Sequence, residues 1–212
     1  MKEIKTCEVC RNIQLVEVLD LGNQPLCDDL IKINSQKICK KYPTNLLFCK
    51  SCKTVHHKFQ IKKELLFKKN YHYRAYVTES VVNSLNNFAI SVSKLIELNK
   101  NKKVLDIGCN DGSLLNFFKD KGCETYGIDP CDGIEIAKIN GHKIVKNYFT
   151  SEVAKEFKNE FIIPDIITFT NSFAHIEDLN DLCDAIKIIS KKSTIIVIEN
   201  HYLGSIINKN HF

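Results

Sequence analysis

Acidic, amide and glycine residues alternate where an apolar run ends, within VLDIGCNDGSLL (104–115). Asp106 lies two positions before Gly108, and Asn110 and Gly112 follow before a helical pattern begins. In open parallel sheets, ligands bind outside the carboxyl ends of the strands, near the switch point after the first strand. A glycine there lets the backbone pass close beneath a ligand, because glycine has no Cβ. The spacing therefore predicts a ligand-binding turn.

Two ligands compete for this turn. A dinucleotide fingerprint needs glycine at three offsets, G-x-G-x-x-G, and here only Gly108 fits, since Asn110 and Ser113 occupy the others. S-adenosylmethionine instead presents an amino acid, a sulfonium and an adenosine. Asp106 can bind the amino group, directly or through water. Asp129, in GIDP after the next apolar run, can accept both ribose hydroxyls. The two acids favour S-adenosylmethionine.

Four cysteines form two Cys-x-x-Cys pairs, Cys7 with Cys10 and Cys49 with Cys52. A two-residue gap lets one tight turn direct two sulfurs at one ion, and two such turns complete a tetrahedron. The pairs predict a structural Zn²⁺ site, which supports folding rather than chemistry. Should one ligand differ, the alternatives are Cys27, Cys39, His56 and His57.

The remaining cysteines lie in the second half of the chain, and we expect reduced packing residues at Cys109, Cys123, Cys131 and Cys183. No apolar run approaches the roughly 20 residues of a membrane span, and MKEIKTCEVC lacks a signal-peptide core. A cytoplasmic location is therefore the expectation, and ten cysteines in such a chain indicate metal rather than disulfides.

Five apolar runs that alternate with helical patterns must position the glycine turn. The predicted strands are 103–108, 124–129, 142–149, 165–170 and 193–199, and the predicted helices between them are 113–121, 134–140, 151–157 and 179–190. This alternation indicates an α/β fold with a parallel, doubly wound sheet. The glycine turn then follows the first strand of the sheet.

The residues before this sheet divide in two. Residues 1–60 predict short elements, and a longer helix follows Thr78, a residue type that caps helices. We therefore predict a zinc-binding domain over 1–70, a linking helical segment over 71–101 and a cofactor-binding core over 102–212.

Charge is unevenly distributed along the chain. Residues 1–103 hold 19 Lys/Arg against 9 Asp/Glu, whereas residues 104–212 hold 11 against 16. A basic half suits a phosphorylated partner, so a second hypothesis is a zinc-ribbon nucleic-acid-binding module fused to a catalytically silent S-adenosylmethionine-binding domain. Basic residues are not interleaved with aromatics as in single-strand binders, which disfavours nucleic acid.

Further candidates follow the third and fourth strands. Phe149 either covers the adenine or packs in the core, and Asn171, Ser172 and His175 either line the pocket or merely enter the next helix. The stretch TFTNSFAHIEDL lacks the Asp/Asn-Pro-Pro-aromatic turn of amino-methylating nucleic-acid enzymes. Pro130-Cys131 is misplaced for a cytosine C5 nucleophile, so base methylation is disfavoured.

Several motifs occur in the order found in a known family: the first cysteine pair, LGNQPL (21–26), YPTNLLFCKSC (42–52), LLFKKNYHY (65–73), the glycine turn, GIDP, NYF and AHIEDL. The chain resembles the sugar C-methyltransferases, which combine a zinc-binding domain with a class I methyltransferase domain and act on nucleotide-linked 4-keto deoxysugars. The resemblance implies that a base removes a proton beside the ketone and that the resulting enolate attacks the sulfonium methyl. It further implies that Tyr71 or Tyr73 hydrogen-bonds the sugar or the enolate oxygen, although packing explains both tyrosines equally.

In that family a Phe-Asp…Tyr-His-Glu-His segment supplies the base, and Phe212 would open it. Five strands instead of seven would leave one sheet edge unpaired. The expectation is a chain that holds S-adenosylmethionine and zinc but needs a separate C-terminal polypeptide to complete the reaction.

Overall fold

The computed structural model describes residues 1–209, so Phe212 lies outside the described residues. The chain forms two compact units. The first contains Met1–Lys68 with Glu177–Asn180, and the second contains Lys69–Ile176 with the described residues from Asp181 onward. The predicted boundaries at 70 and 101 stay a prediction. Among residues 1–209, every helix is too short or too polar to span a bilayer.

The first unit is built from short antiparallel sheets. Its elements are β1 (Lys2–Glu3), β2 (Leu15–Pro25), β3 (Lys41–Cys49), β4 (Val55–His57), β5 (Phe59–Gln60) and α1 (Lys63–Leu66). Strands β2, β3 and β4 pair in that order, and β1 pairs with β5. The β2–β3 register shifts between Asp20 and Asn23, where Gly22 has a φ of 70°.

The second unit alternates helices with strands. Its elements are α2 (Glu79–Ser93), β6 (Lys103–Ile107), α3 (Ser113–Asp120), β7 (Glu124–Ile128), α4 (Ile134–Ile139), β8 (Lys143–Val145), α5 (Ser151–Glu160), β9 (Ile166–Thr170), α6 (Leu179–Ile189), β10 (Ile195–Glu199) and α7 (Leu203–Lys209). Single 3₁₀ turns lie at Ala75–Val77 and Phe173–His175.

The five strands of the second unit form one parallel sheet in the order β10-β9-β6-β7-β8. This confirms the predicted α/β fold class. The chain moves outward from β6 to β8 and then returns past β6 to β9. The strand order therefore reverses beside β6, which places the ligand-binding crevice at the carboxyl end of that strand.

Both faces of this sheet are covered, as is usual for parallel sheets. On one face α2 and α3 bury Phe88, Val92 and Phe118 against Val104 and Ile166. On the other, Phe157 packs edge-on against Tyr126, with ring centroids 5.7 Å apart. The parallel sheet thus gives the loops at its carboxyl edge a rigid base.

Local details differ from the predictions. The third strand ends at Val145 rather than 149, because the Asn147 amide turns back to the Val145 carbonyl at 3.1 Å. Helix α5 runs on to Glu160, and Thr150 caps it by accepting from the Val153 amide at 3.3 Å. Thr78 does precede α2, but its side chain makes no capping bond.

The packing role predicted for Cys183 is wrong. This thiol is exposed, whereas Cys109, Cys123 and Cys131 are buried. Helix α6 buries Leu182, Ala185 and Ile189, a spacing that turns position 183 toward solvent.

Candidate functional site

Asp106 is the penultimate residue of the central strand, β6, and carries a buried carboxyl. It is 3% exposed, and its Oδ1 accepts a hydrogen bond from the Thr168 hydroxyl at 2.7 Å. Residues 106 and 168 are register partners in β6 and β9, so their side chains share one face of the sheet. Burial raises the pKa of Asp106 to about 7, with the Thr168 bond opposing the rise and the charge of Asp129 adding to it.

Asp129 follows β7, the neighbouring strand. One carboxylate oxygen accepts from the backbone amide of Asn110 at 3.0 Å, and the other accepts from the backbone amide of Cys131 at 2.8 Å. Burial raises the pKa of Asp129, while these amides and the charge of Arg74 oppose the rise. Because an ionised carboxylate has about four acceptor positions, both oxygens retain one for further donors.

The glycine turn between these acids is left-handed at three positions, with φ values of 78° at Gly108, 49° at Asn110 and 78° at Gly112. A Cβ at position 108 would lie 2.6 Å from the Cβ of Ser172, whose hydroxyl donates to the Ile107 carbonyl at 2.6 Å. The structure thus supplies a second explanation for glycine at position 108, besides the predicted close approach of a ligand. The loop after β9 packs on the turn and leaves no room for a side chain.

Gly108→Ala should therefore destabilise the second unit by about 3 kcal/mol or more, since a clash adds to the strain of a positive φ. Gly122→Ala is the matched control, because Gly122 has a φ of 86° and its Cβ would meet nothing closer than 3.5 Å. We expect about 1 kcal/mol for the control, the cost of a left-handed conformation for a residue with a Cβ. Urea unfolding of both variants measures the difference, and equal losses would remove the role assigned to Ser172.

His142 lies beside the glycine turn, next to Gly112. Its Nδ1 lies 2.7 Å from the Thr125 hydroxyl and its Nε2 lies 3.0 Å from Asn116 Oδ1. Burial, followed by the charge of Lys119, lowers the pKa of His142 to about 4, so the ring is neutral at pH 7. A neutral ring fits both contacts if Nδ1 accepts from the hydroxyl and Nε2–H donates to the amide oxygen. A Cβ at Gly112 would meet this ring at 3.0 Å.

Residues 69–76 are held against the loops that carry the two acids. The Asp132 amide donates to the Lys69 carbonyl at 2.7 Å, and the Asn110 side-chain amide donates to the Tyr73 carbonyl at 3.1 Å. The Tyr76 amide donates to Asp111 Oδ2 at 3.1 Å. We call residues 69–76 the strap. These bonds tie it to the loops after both β6 and β7.

Arg74 forms hydrogen bonds within the strap. Its Nη1 donates to the carbonyls of Tyr71 and Tyr73, each at 2.6 Å, and its positive charge opposes the rise that burial causes in the pKa of Asp129. A Cβ at Gly133 would meet the Arg74 guanidinium carbon at 3.1 Å. Arg74 thus bonds the backbone carbonyls of the two predicted catalytic tyrosines, and its charge acts on the predicted ribose-binding acid.

The predicted catalytic residues lie in two places. The rings of Tyr71 and Tyr73 are 6.4 Å apart on the strap, and Tyr73 is 45% exposed. Burial, with a contribution from the charge of Asp111, raises the pKa of Tyr73, which keeps its phenol protonated. His175 is exposed and ends the 3₁₀ turn that follows β9.

The other predicted pocket residues differ in accessibility. Asn171 is exposed, has a φ of 53° and donates its amide to the Glu199 carbonyl at 2.8 Å. Phe149 is 7% exposed, and its ring packs edge-on against Phe169 with centroids 6.4 Å apart. This packing favours a core position for Phe149 rather than contact with the adenine.

Sequence reasoning missed three residues of this edge: Thr168, Asp111 and Arg74. Thr168 is a fully buried hydroxyl between the apolar residues Ile167 and Phe169, and that polar exception was its signal. Asp111 is 1% exposed and accepts from both the amide and the hydroxyl of Ser113, at 3.0 and 2.5 Å, so it fixes the start of α3. Arg74 is the only arginine after residue 69, directly beside the Tyr-x-Tyr motif.

The four predicted zinc ligands form one cluster in the first unit. The Sγ atoms of Cys7, Cys10, Cys49 and Cys52 all lie within 4.8 Å of one another. The closest pairs are Cys7–Cys52 at 3.5 Å and Cys10–Cys49 at 3.6 Å. Tetrahedral zinc with Zn–S bonds of about 2.3 Å requires sulfur atoms roughly 3.8 Å apart, so the thiol set fits the ion.

The alternative ligands lie in different surroundings. Cys27 is exposed, and the Cys39 thiol donates to the Asp29 carbonyl at 3.1 Å. His57 is exposed on β4, whereas His56 is buried with Nε2 3.1 Å from Cys7 Sγ. His56 is thus the one alternative in direct contact with the cluster.

Two family models match the chain. Residues 73–207 match a model described as a methyltransferase domain, and residues 7–67 match one described as a zinc binding domain. The C-methyltransferase NovU of Streptomyces niveus is 22% identical over 214 residues, an alignment that covers 100% of this chain and 51% of NovU. The chain therefore spans about half the length of the curated relative that it matches.

A solved structure supports the same fold. The PH0226 protein from Pyrococcus horikoshii OT3 superposes with a TM-score of 0.53 at 18% identity, over 71% of this chain and 67% of that one. A SAM dependent methyltransferase from Archaeoglobus fulgidus gives a TM-score of 0.45 at 25% identity, over 60% and 59%.

Together, the fold and the family matches confirm the predicted cofactors, S-adenosylmethionine and Zn²⁺. The match to a methyltransferase domain does not favour the hypothesis of a catalytically silent nucleic-acid-binding module. The individual residues that bind each cofactor stay predictions. Because the methyltransferase model covers well over half of the sequence, the chain belongs to the methyltransferase-domain family and carries a zinc-binding segment ahead of that domain.

Proposed function

We propose that the protein is an S-adenosylmethionine-dependent C-methyltransferase whose substrate is a nucleotide-linked 4-keto deoxysugar. The observation that carries the cofactor site is the pair of buried acids, Asp106 and Asp129, at the ends of neighbouring parallel strands with a left-handed glycine turn between them. A reducing cytoplasm is the compartment we propose, because none of the ten cysteines forms a disulfide.

Three side chains of the carboxyl edge would hold the cofactor. Asp129 would accept the ribose hydroxyls and Asp106 the ammonium group. Asn110 Oδ1 is buried, and within the described residues nothing donates to it, so a ligand donor would satisfy it. When bound, S-adenosylmethionine supplies an electrophilic methyl group beside the switch point.

The name of the curated relative, a C-methyltransferase, supports methylation at carbon. The sugar substrate is proposed from the order of the sequence motifs and from the strap. A carbon beside a ketone becomes nucleophilic when a base removes its proton and the charge spreads to the oxygen. A hydrogen-bond donor at that oxygen stabilises the enolate. Tyr73 suits this role, because it is accessible and its raised pKa keeps the phenol a donor at neutral pH.

Asp129→Asn tests the cofactor site directly. Loss of a charged acceptor for the ribose hydroxyls should weaken S-adenosylmethionine binding about 10- to 100-fold in calorimetry. Asp132→Asn is the matched control, since Asp132 lies on the same loop and pairs with Lys146 at 2.8 Å. The control variant should bind like the parent chain.

Titration of a nucleotide-linked 4-keto deoxysugar into the cofactor-saturated protein tests the substrate, with the same nucleotide lacking the sugar as the control. Tighter binding of the sugar nucleotide is expected. Preferential, salt-dependent binding of single-stranded RNA or DNA would instead support the nucleic-acid hypothesis. Equal binding of S-adenosylmethionine by Asp129→Asn and by the parent chain would count against the cofactor site itself.

A further inference from the structure

His56 occupies a position beside the cysteine cluster that the zinc-binding match does not explain. It is 7% exposed on β4, and its Nε2 lies 3.1 Å from the Sγ of Cys7, which is fully buried. The neighbouring His57 is exposed on the same strand. A buried imidazole against a metal-ligating sulfur calls for a function of its own, because burying a polar ring is unfavourable unless it is hydrogen-bonded.

The chemistry of the sulfur sets the direction of this bond. A cysteine bound to zinc is a thiolate without a proton, so Cys7 can only accept, and the proton must lie on His56 Nε2. The Cys10 amide also points at this sulfur, at 3.5 Å. In the other pair, the Thr54 hydroxyl lies 3.2 Å from Cys52 Sγ. Cys7 therefore receives a side-chain N–H, whereas the contact of Cys52 with Thr54 is through a hydroxyl.

A carboxyl group lies near the other side of the imidazole. Glu8 Oε2 lies 3.8 Å from His56 Nδ1, and the other oxygen of Glu8 accepts from Gln60 Nε2 at 2.8 Å. Glu8 lies inside the first Cys-x-x-Cys turn, while Gln60 lies on β5. Two separate bonds thus join the first cysteine turn to strands of the first unit, Gln60–Glu8 from β5 and His56–Cys7 from β4.

We propose that His56 is a positioning residue of the zinc site, which donates from Nε2 to the Cys7 thiolate. Four thiolates around Zn²⁺ leave a net charge of −2, and an N–H donor withdraws part of that charge from one sulfur. Groups that hydrogen-bond metal ligands fix ligand orientation and typically change metal affinity 10- to 100-fold. This role does not depend on methyl transfer.

The test measures metal retention in the full chain. His56→Ala should release zinc to a competing chelator about 10- to 100-fold more readily. His56→Gln, which keeps an N–H donor, should restore part of the retention. His57→Ala is the matched control, since it removes an exposed imidazole from the next position, and it should behave like the parent chain. Circular dichroism in excess zinc confirms that each variant is folded.

Substitution of zinc by Co²⁺ separates a donor from a ligand. The parent protein should show the absorption of a four-sulfur tetrahedral site. His56→Ala should keep this four-sulfur spectrum but shift its sulfur-to-metal charge-transfer band, because the thiolate has lost a hydrogen bond. A parent spectrum typical of three sulfurs and one nitrogen would make His56 a ligand and overturn the proposal. Zinc release and a charge-transfer band unchanged in folded His56→Ala would overturn it as well.

Discussion

Replacing Asp106 by asparagine is expected to weaken cofactor binding and, at the same time, to stabilise the folded chain at neutral pH. The side chain is buried at the end of β6, where burial raises its pKa from 3.8 to about 7. Ionisation there is unfavourable for folding, whereas a cationic ligand requires the ionised form. The same residue therefore opposes stability and supports binding.

The sign of the stability effect follows from proton linkage. Between about pH 4 and pH 7 the folded chain holds a proton on Asp106 that the unfolded chain has lost, so stability falls as the pH rises through this window. Above pH 7 the loss is complete and amounts to at most about 4 kcal/mol. Asparagine removes this loss, and its amide oxygen can still accept from the Thr168 hydroxyl.

Binding should depend on pH in the opposite direction. Affinity for S-adenosylmethionine should rise as Asp106 ionises near pH 7, and Asp129, whose pKa burial also raises, should add to the rise. Asp106→Asn should lose about 10- to 100-fold in affinity at pH 8, as expected for a hydrogen bond to a charged group. Its remaining binding should vary less with pH.

Thr168→Val provides the companion measurement. The Thr168 hydroxyl lowers the pKa of Asp106, so its removal should move the midpoint of the pH-dependent binding upward. Calorimetry across pH 6–8 and urea unfolding measure both quantities. Unchanged affinity in Asp106→Asn, or a midpoint that falls in Thr168→Val, would contradict this account of the carboxyl.

Removing zinc is expected to unfold the first unit and leave the second unit folded. Within residues 1–68, all of which the structure describes, the buried apolar side chains other than cysteine are Ile4 and Leu47. A core of this size cannot offset the conformational entropy of some 70 residues. Structural zinc commonly supplies about 10 kcal/mol or more, so this unit should depend on it.

Cys49→Ser isolates the same effect in one substitution, because Cys49 is fully buried in the cluster. Hydrogen-exchange mass spectrometry should show lost protection in β2 and β3 but retained protection in β6, β7 and β9. Cys27→Ser is the matched control, since Cys27 is exposed and outside the cluster. Protected β2 and β3 strands in the zinc-free protein would show that the unit folds without metal.

Much of the fold could be predicted because its signals are local. Apolar runs and helical spacing locate β6, β7, β9 and β10 to within two residues at each end. The third strand was overextended because a turn at Asn147, rather than a change in hydrophobicity, ends it. Cys183 was misplaced because residue type does not reveal which face of α6 a side chain occupies.

By itself, the sequence determined the order of strands and helices, the acids after the first two strands and the two cysteine pairs, since each is a pattern within a few neighbouring residues. Only the tertiary structure decided that Thr168 bonds Asp106, that Ser172 fills the space beside Gly108 and that His56 contacts Cys7. Each of these contacts joins residues at least 49 positions apart. Such pairs meet only through strand register and loop packing, which depend on the burial of the whole chain rather than on local pattern.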